Sequence, residues 1–304
     1  MKLYYEGTDI SHEVEVRACR HFDRAGEADC LEMVLGQAEK WLAWKPQRDD
    51  RMEVRRGGYS TGELYLHAVI PEDGNYRIVA TAAKSGSRWA KNESFAGKTL
   101  ETIVKLTAAE VGMGYRLWGI DGGIRYHYLL RENQGAAAFL QGIAEREGCV
   151  VKTYGGNFLL VSLAAAQGRQ AGQTIPLTAR MPGVRLTRRW DLDTAALTVT
   201  GAFGAVTARD GSVDSLTGRR EVVSGLPAAD KAEAGRMARG LLVWRNFARE
   251  ELEIESTFQE GWTALGRIDT VGEVSGEWVI WRVEQDLKDG RSRGMLRKVS
   301  SGVV

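Results

Sequence analysis

Residues 124–162, IRYHYLLRENQGAAAFLQGIAEREGCVVKTYGGNFLLVS, constrain the fold more than any other stretch of the chain. Ile124–Leu130 is apolar and aromatic, as strands are. Asn133 is placed to cap a helix, its side-chain oxygen accepting from a free amide of the first turn. Ala136, Phe139, Leu140, Ile143 and Ala144 then recur at helical spacing and predict one apolar face. Gly148 follows the last of them, where a left-handed stop costs least. Cys149–Tyr154 and Asn157–Ser162 flank Gly155-Gly156, a pair suited to positive φ at both central positions of a hairpin. The segment therefore reads strand, helix, hairpin.

The region before it is β-rich. Over residues 1–88, Val14/Val16, Leu31/Met33/Leu35, Met52/Val54, Leu64/Leu66/Ala68 and Tyr76–Ala82 alternate between turn signals such as Glu72-Asp73-Gly74-Asn75. Short period-2 runs of this kind predict a sandwich or small barrel. Trp41 and Trp44 fall on a connection and are expected as lids over its core. In residues 89–123, Leu100, Ile103, Val104, Thr107 and Val111 trace a helix that Gly112 and Gly114 end. Residues 89–163 then form an α+β domain, and 164–175, small and polar, a linker. Residues 176–304 return to strands with one helix near 228–248, for which Pro227 is a natural start, followed by Leu252, Ile254, Ser256 and Phe258 alternating as a strand. Ala205–Ser224 is polar and long for a structureless loop. It reads as a disordered loop, a polar hairpin, or a loop ordered by a partner.

The two β regions share a degenerate repeat. Gly62-Glu63-Leu64-Tyr65-Leu66 matches Gly276-Glu277-Trp278-Val279-Ile280, and an acidic turn follows each, at Asp73-Gly74 and Asp289-Gly290. The upstream strands Cys30–Leu35 and Leu252–Phe258 agree in kind. The fold expected is mainly β with an α+β insert: two similar small β-barrel domains, 1–88 and 176–304, separated by an α+β domain.

This layout resembles the baseplate hub proteins of contractile phage tails, the late-control D family, which is related to the N-terminal half of secretion-system spike proteins. The resemblance rests first on Tyr126–Leu130, the polar turn Arg131–Gln134, Phe139-Leu140 within the helix, the stop Glu147-Gly148 and the hairpin Val150–Val161, and then on the repeat. It implies a structural subunit forming a homotrimer, in which two barrels per copy give a pseudo-sixfold ring between a six-fold tail tube and a three-fold spike. The implied partners are the tail tube protein, the central spike protein, the tape-measure protein and baseplate wedge proteins. The implied location is the host cytoplasm during assembly and then the baseplate of the virion or tail-like particle. The short C-terminus after Val299 fits a spike carried on a separate chain.

The residues themselves suggest no chemistry. Forty-one basic against 40 acidic residues give a net charge of +1, so no phosphate-backbone face and no specific nucleic-acid contact is expected. No apolar run approaches the ~20 residues of a membrane span, the first residues lack a signal-peptide core, and no membrane association is expected. Cys19, Cys30 and Cys149 suit neither a disulfide framework nor a zinc site. Gly97-Lys98-Thr99 precedes a helix, but a phosphate loop needs glycine where Asn92 stands. His12, His21, His67 and His127 have no partner at metal spacing, and Glu145 and Glu147 point different ways on their helix as solvated surface. Trp278 and Trp281, three apart in a strand, face opposite sides and make no sugar platform. No catalytic, metal or cofactor-binding residue is expected. A tail-associated cell-wall hydrolase is the alternative, and it would need a domain this chain has no room for.

Overall fold

The computed structural model describes residues 1–299; the last five positions of the expected 176–304 domain lie outside them. In chain order the first part contains β1 (Lys2–Tyr5), β2 (Thr8–Asp9), β3 (Glu15–Arg24), β4 (Cys30–Gly36), α1 (Glu39–Leu42), β5 (Arg51–Arg56), β6 (Tyr59–Ser60), β7 (Leu64–Glu72) and β8 (Asn75–Thr81). The middle part contains β9 (Lys91–Thr99), α2 (Leu100–Glu110), β10 (Gly114–Trp118), β11 (Arg125–Gln134), α3 (Ala136–Arg146), β12 (Cys149–Tyr154) and β13 (Asn157–Ser162). The last part contains α4 (Leu163–Gln167), β14 (Gln173–Leu177), β15 (Val184–Arg188), β16 (Thr194–Gly201), β17 (Gly204–Arg209), β18 (Arg219–Ser224), α5 (Lys231–Asn246), β19 (Glu250–Thr257), β20 (Arg267–Gly272), β21 (Gly276–Asp286) and β22 (Arg291–Lys298).

The chain is mainly β, as the alternation requires, but the two expected barrels do not close. Their strands share one open 14-stranded sheet, whose main path runs β15-β19-β22-β21-β3-β4-β8-β7-β5-β1-β2. The reason lies in β21. Its first residues, Gly276–Val279, pair with β20; beyond an irregularity between Ile280 and Arg282, residues Arg282–Asp286 pair with β3. A bulge bends its strand and re-aims the residues beyond it, so the strand that would have closed the second barrel passes into the first module instead.

The repeat is a repeat of topology. β5-β7-β8-β4-β3 in the first module corresponds to β20-β21-β22-β19-β15 in the second, pair by pair and all antiparallel. The irregularity recurs between Leu66 and Ala68, the counterparts of Ile280 and Arg282 when Gly62–Leu66 is laid on Gly276–Ile280. Leu31, Met33, Leu35, Val54, Leu64 and Ile78 fill the first core around the fully buried Trp41. Leu252, Ile254, Ile268, Trp278, Ile280 and Leu296 fill the second. Trp41 is thus a core residue on α1, whereas Trp44 is exposed.

Between the modules, α2 and α3 pack on β10, β12 and β13 through Ile103, Val104, Phe139, Leu140, Ile143, Val151 and Phe158. All five predicted face residues of α3 are buried, Gly148 sits at φ +63°, and Gly155 and Gly156 both have positive φ. The cap is different. Asn133 lies at φ +49° in the irregular end of β11, and its amide donates to Asn92 Oδ1 at 2.7 Å. Gly135 takes the N-cap position, where a Cβ would stand 2.7 Å from the Ser87 carbonyl oxygen.

Three further expectations are corrected. Residues 164–175 are more than a linker: Ser162 caps α4, and β14 runs parallel to β20. Ala205–Ser224 is neither disordered nor a simple hairpin, because β17 and β18 flank β16 on opposite sides in a separate three-stranded sheet. Helix α5 begins not at Pro227 but after Asp230, whose carboxylate accepts from Glu233 N at 2.8 Å while Glu233 accepts from Ala229 N at 2.9 Å. It covers the small sheet through Ala234, Ala238, Leu241 and Leu242. This sheet and helix are inserted between β15 and β19; their counterparts β3 and β4 are joined by a short turn.

Helix α5 also meets α3 at Gly240, where a Cβ would fall on the Arg146 carbonyl oxygen and 2.6 Å from Gly148 N. Gly240→Ala is expected to cost about 3 kcal/mol through this overpacking, against the helix-propensity gain of up to about 1 kcal/mol. Urea denaturation of the variant checks it.

Candidate functional site

The antiparallel junction of β3 and β21 joins the two modules. It sets Arg24 opposite Arg282, Asp23 opposite Val283, His21 opposite Gln285 and Arg20 opposite Asp286. Ala25 N donates to Trp281 O at 2.9 Å at one end, and Leu287 N to Cys19 O at 2.8 Å at the other. A core shared by several parts of the chain lies beside it: Ala25 from the first module, Val150 and Val161 from the middle, Phe247 after α5, and Val279 and Trp281 from the second module.

One ammonium ties the three parts together. Lys152 on β12 donates to Asp23 on β3 and to both oxygens of Asp29 at 3.1 Å. Asp23 also accepts from Ala264 N at 3.0 Å, and Asp29 from Arg24 N at 3.0 Å. All three side chains are buried. Burial alone would lower the Lys152 pKa, but the two carboxylates reverse that and hold the ammonium charged. Burial pushes the Asp29 carboxyl up to about 7, against the pull of Lys152. Because their oxygens already serve the ammonium and backbone amides, the two aspartates act as a structural clamp.

His21 adjoins this cluster. It is 1% exposed; Nδ1 lies 2.6 Å from the Tyr59 hydroxyl, and Nε2 has no protein partner among the described residues. Burial pushes its pKa down to about 4. Its depressed folded pKa contributes stability above pH ~6.5 that is lost as pH falls through about 4. Asp29, with its raised folded pKa, acts in the opposite sense: its contribution is present below about 3.8 and lost as pH rises through about 7. The two slopes oppose each other. His21→Gln, which keeps an acceptor for Tyr59, is expected to gain on the wild type by on the order of 3 kcal/mol between pH 7 and pH 4. Urea titrations of both proteins at three pH values measure that difference.

An open cleft of about 850 Å³ lies over the cluster, lined among others by His21, Tyr59, Trp118, Lys152 and Glu260. The groups singled out in the sequence are not gathered there, apart from His21. Gly97 has φ +63° at the end of β9, and the Thr99 hydroxyl caps α2 by accepting from Thr102 N, so this glycine-lysine-threonine run is a helix entry. His67 contacts Thr81 and Ala83 O, and His12 and His127 are exposed. Glu147 departs from expectation. Its side chain is 2% exposed, accepts the Tyr126 hydroxyl at 2.6 Å and pairs with Arg236 at 2.8 Å. Trp278 and Trp281 are both buried, in different cores. Cys19 and Cys149 are buried free thiols and Cys30 is half-buried. The clamp is not anticipated by the sequence reading. Its one signal is Lys152 inside CVVKTY, a charge in a run otherwise fit for burial on both faces.

Among the described residues no group of His, Cys, Asp and Glu is placed to hold a metal ion, and no helix is long and apolar enough to cross a membrane. No family model matches the sequence. No curated protein matches it either. Solved structures do. The 43 kDa tail protein of prophage MuSo2 from Shewanella oneidensis superposes with a TM-score of 0.70 at 12% identity, covering 97% of each chain. The tail protein from Neisseria meningitidis MC58 gives 0.71 at 13%, covering 98% of this chain and 95% of that one. The E. coli c3393 protein, a type VI secretion component described as similar to the T4 tail proteins gp27 and gp5, gives 0.64 at 10%, covering 99% and 78%. Over nearly its whole length, this chain has the fold of phage tail proteins.

Proposed function

We propose that the chain is a structural hub subunit of a contractile-tail baseplate or a related injection machine. The observation that carries this reading is the repeated five-strand module, joined edge to edge in one sheet. Three copies would present six similar modules to a six-fold tail tube and a truly three-fold surface to a spike. In this reading residues 1–88 and 176–304 supply the ring and 89–163 the outer α+β domain. The partners are two further copies, the tube and spike proteins, and the tape-measure and wedge proteins of the same particle. The subunit is made in the host cytoplasm and ends in the baseplate. Its work is geometric and involves no catalysis. The likeness to phage tail proteins in fold supports the reading, as does the type VI secretion context of the E. coli neighbour.

Light scattering, alone and with the spike protein of the same particle, tests it. The expected mass is near three times 33.5 kDa. A single-copy mass under both conditions overturns the proposal.

A further inference from the structure

The junction inside the chain has two half-made copies, one on the part of β7 that runs past β5 and one on the outer edge of β15. Laying Gly62–Leu66 on Gly276–Ile280 carries Ala68–Glu72 onto Arg282–Asp286, the segment of β21 that pairs with β3. In the first module β5 reaches Leu64 and Tyr65, and Asp49 and Asp50 exchange backbone hydrogen bonds with Leu66, as Leu265 and Gly266 do with Ile280. Beyond the bulge, among the described residues, no strand pairs with that edge of Ala68–Glu72. The counterpart of β3 is β15. Partners across the sheet run Ile280, Leu296, Leu252, Leu186 in the second module and Leu66, Ala80, Leu31, His21 in the first. Leu186 thus stands where His21 stands. Among the described residues β15 pairs only with β19, and its other edge ends the sheet.

We propose that copies of this chain join by β-strand addition, Ala68–Glu72 of one pairing antiparallel with Val184–Arg188 of the next. The register is fixed by the internal junction. Glu72 lies opposite Arg185, Pro71 opposite Leu186, Ile70 opposite Thr187 and Val69 opposite Arg188. The proposal rests on the ring reading and gives it an interface.

Three observations support this register independently. The first is charge. Asp286 and Arg20 form an ion pair across the internal junction, 3.9 Å apart, and their counterparts Glu72 and Arg185 again carry opposite charges.

The second is the direction of the backbone groups. Glu255 N donates to Gly183 O and Arg189 N to Arg249 O. Residues 183 and 189 thus turn toward β19, and by alternation the peptide groups of Leu186 turn toward the open side. In the internal junction Cys19 O and Ala25 N face β21, so His21 faces it too. Leu186 and His21 are therefore equivalent in direction as well as position.

The third is burial. Leu186 is 49% exposed where His21 is 1% exposed, and it would meet the exposed Pro71. Pro71 lacks an amide, so this ladder has one donor fewer than the internal one, as edge strands with proline do. The two edges differ and lie at different places on the sheet, so the contact is head-to-tail, the kind the proposed ring requires, and not that of a two-fold dimer.

Paired cysteines test the register. Ile70 and Thr187 form a non-hydrogen-bonded pair in this ladder, with Cα atoms ~4.5 Å apart, within reach of a disulfide. Mild oxidation of Ile70→Cys/Thr187→Cys is expected to convert most of the protein into covalent dimers and trimers, absent from either single variant. Val69→Cys/Thr187→Cys, one residue out of register, is expected to give none. Leu186→Pro removes an amide directed at the open side and should abolish the three-copy mass while leaving single-copy stability unchanged. A three-copy mass with no cross-link, or with Leu186→Pro still trimeric, overturns strand addition and leaves the ring standing. A wild-type single-copy mass with and without the spike protein overturns both.

Discussion

Replacing Lys152 with methionine is expected to lower the unfolding free energy by about 3–5 kcal/mol, the cost of stripping the partner from a buried charge. Domains of ordinary stability unfold at 5–15 kcal/mol, so this one change would remove a large share of the total. The size reflects the groups left behind. Asp23 and Asp29 would stay in the interior without the ammonium they share, and burial already pushes Asp29 up to about 7. The variant has a distinctive pH response. Its orphaned carboxyls can be neutralised by protons, so its deficit against the wild type should narrow as pH falls from 7 toward 5. Adding Asp29→Asn should recover part of the loss, since the two sites are in contact and their effects do not add. Urea denaturation of the single and double variants at both pH values checks each point. A deficit below about 1 kcal/mol, typical of surface pairs, would mean the clamp does not hold the three parts together.

The same clamp shows where reading the sequence stops. Local patterns were legible because their causes are local. The α3 face, the Gly148 stop and the Gly155-Gly156 turn depend on neighbours a few residues away. The repeat was legible because Gly62-Glu63 and Gly276-Glu277 begin equivalent strands. Barrel closure was not, because it turns on which edge meets Arg282–Asp286, and that edge is β3, far away in sequence. Glu147 looked like solvated surface because its partner Arg236 is 89 positions away. Asn133 has the chemistry of a cap, but the close approach of the Ser87 backbone reserves that place for Gly135. The inserted sheet was hidden for another reason. β17 and β18 are its edge strands, and several of their residues are exposed, so they carry little of the apolar alternation that marks a strand.

Trp281→Ala is expected to cost about 3–5 kcal/mol, as large-to-small changes of buried aromatics do, and its effect should be localised. Trp281 sits at the bulge in β21, where the strand leaves one module for the other. Its ring is edge-on to Trp244 on α5 and to Phe247 just beyond it, each at 5.5 Å. The Arg297 guanidinium lies 4.2 Å from its centroid. The counterpart in the first module, His67, spends its ring on Thr81 and the Ala83 carbonyl. The tryptophan thus belongs to the module that carries the insert, and it fastens the C-terminal end of α5 to the sheet. Its carbonyl oxygen, which accepts from Ala25 N, is backbone and survives the substitution. Hydrogen exchange should therefore quicken in α5 and in the β16–β18 sheet it covers, while the β3–β21 ladder stays protected. Equal loss of protection in both would mean that Trp281 supports the junction itself rather than the insert.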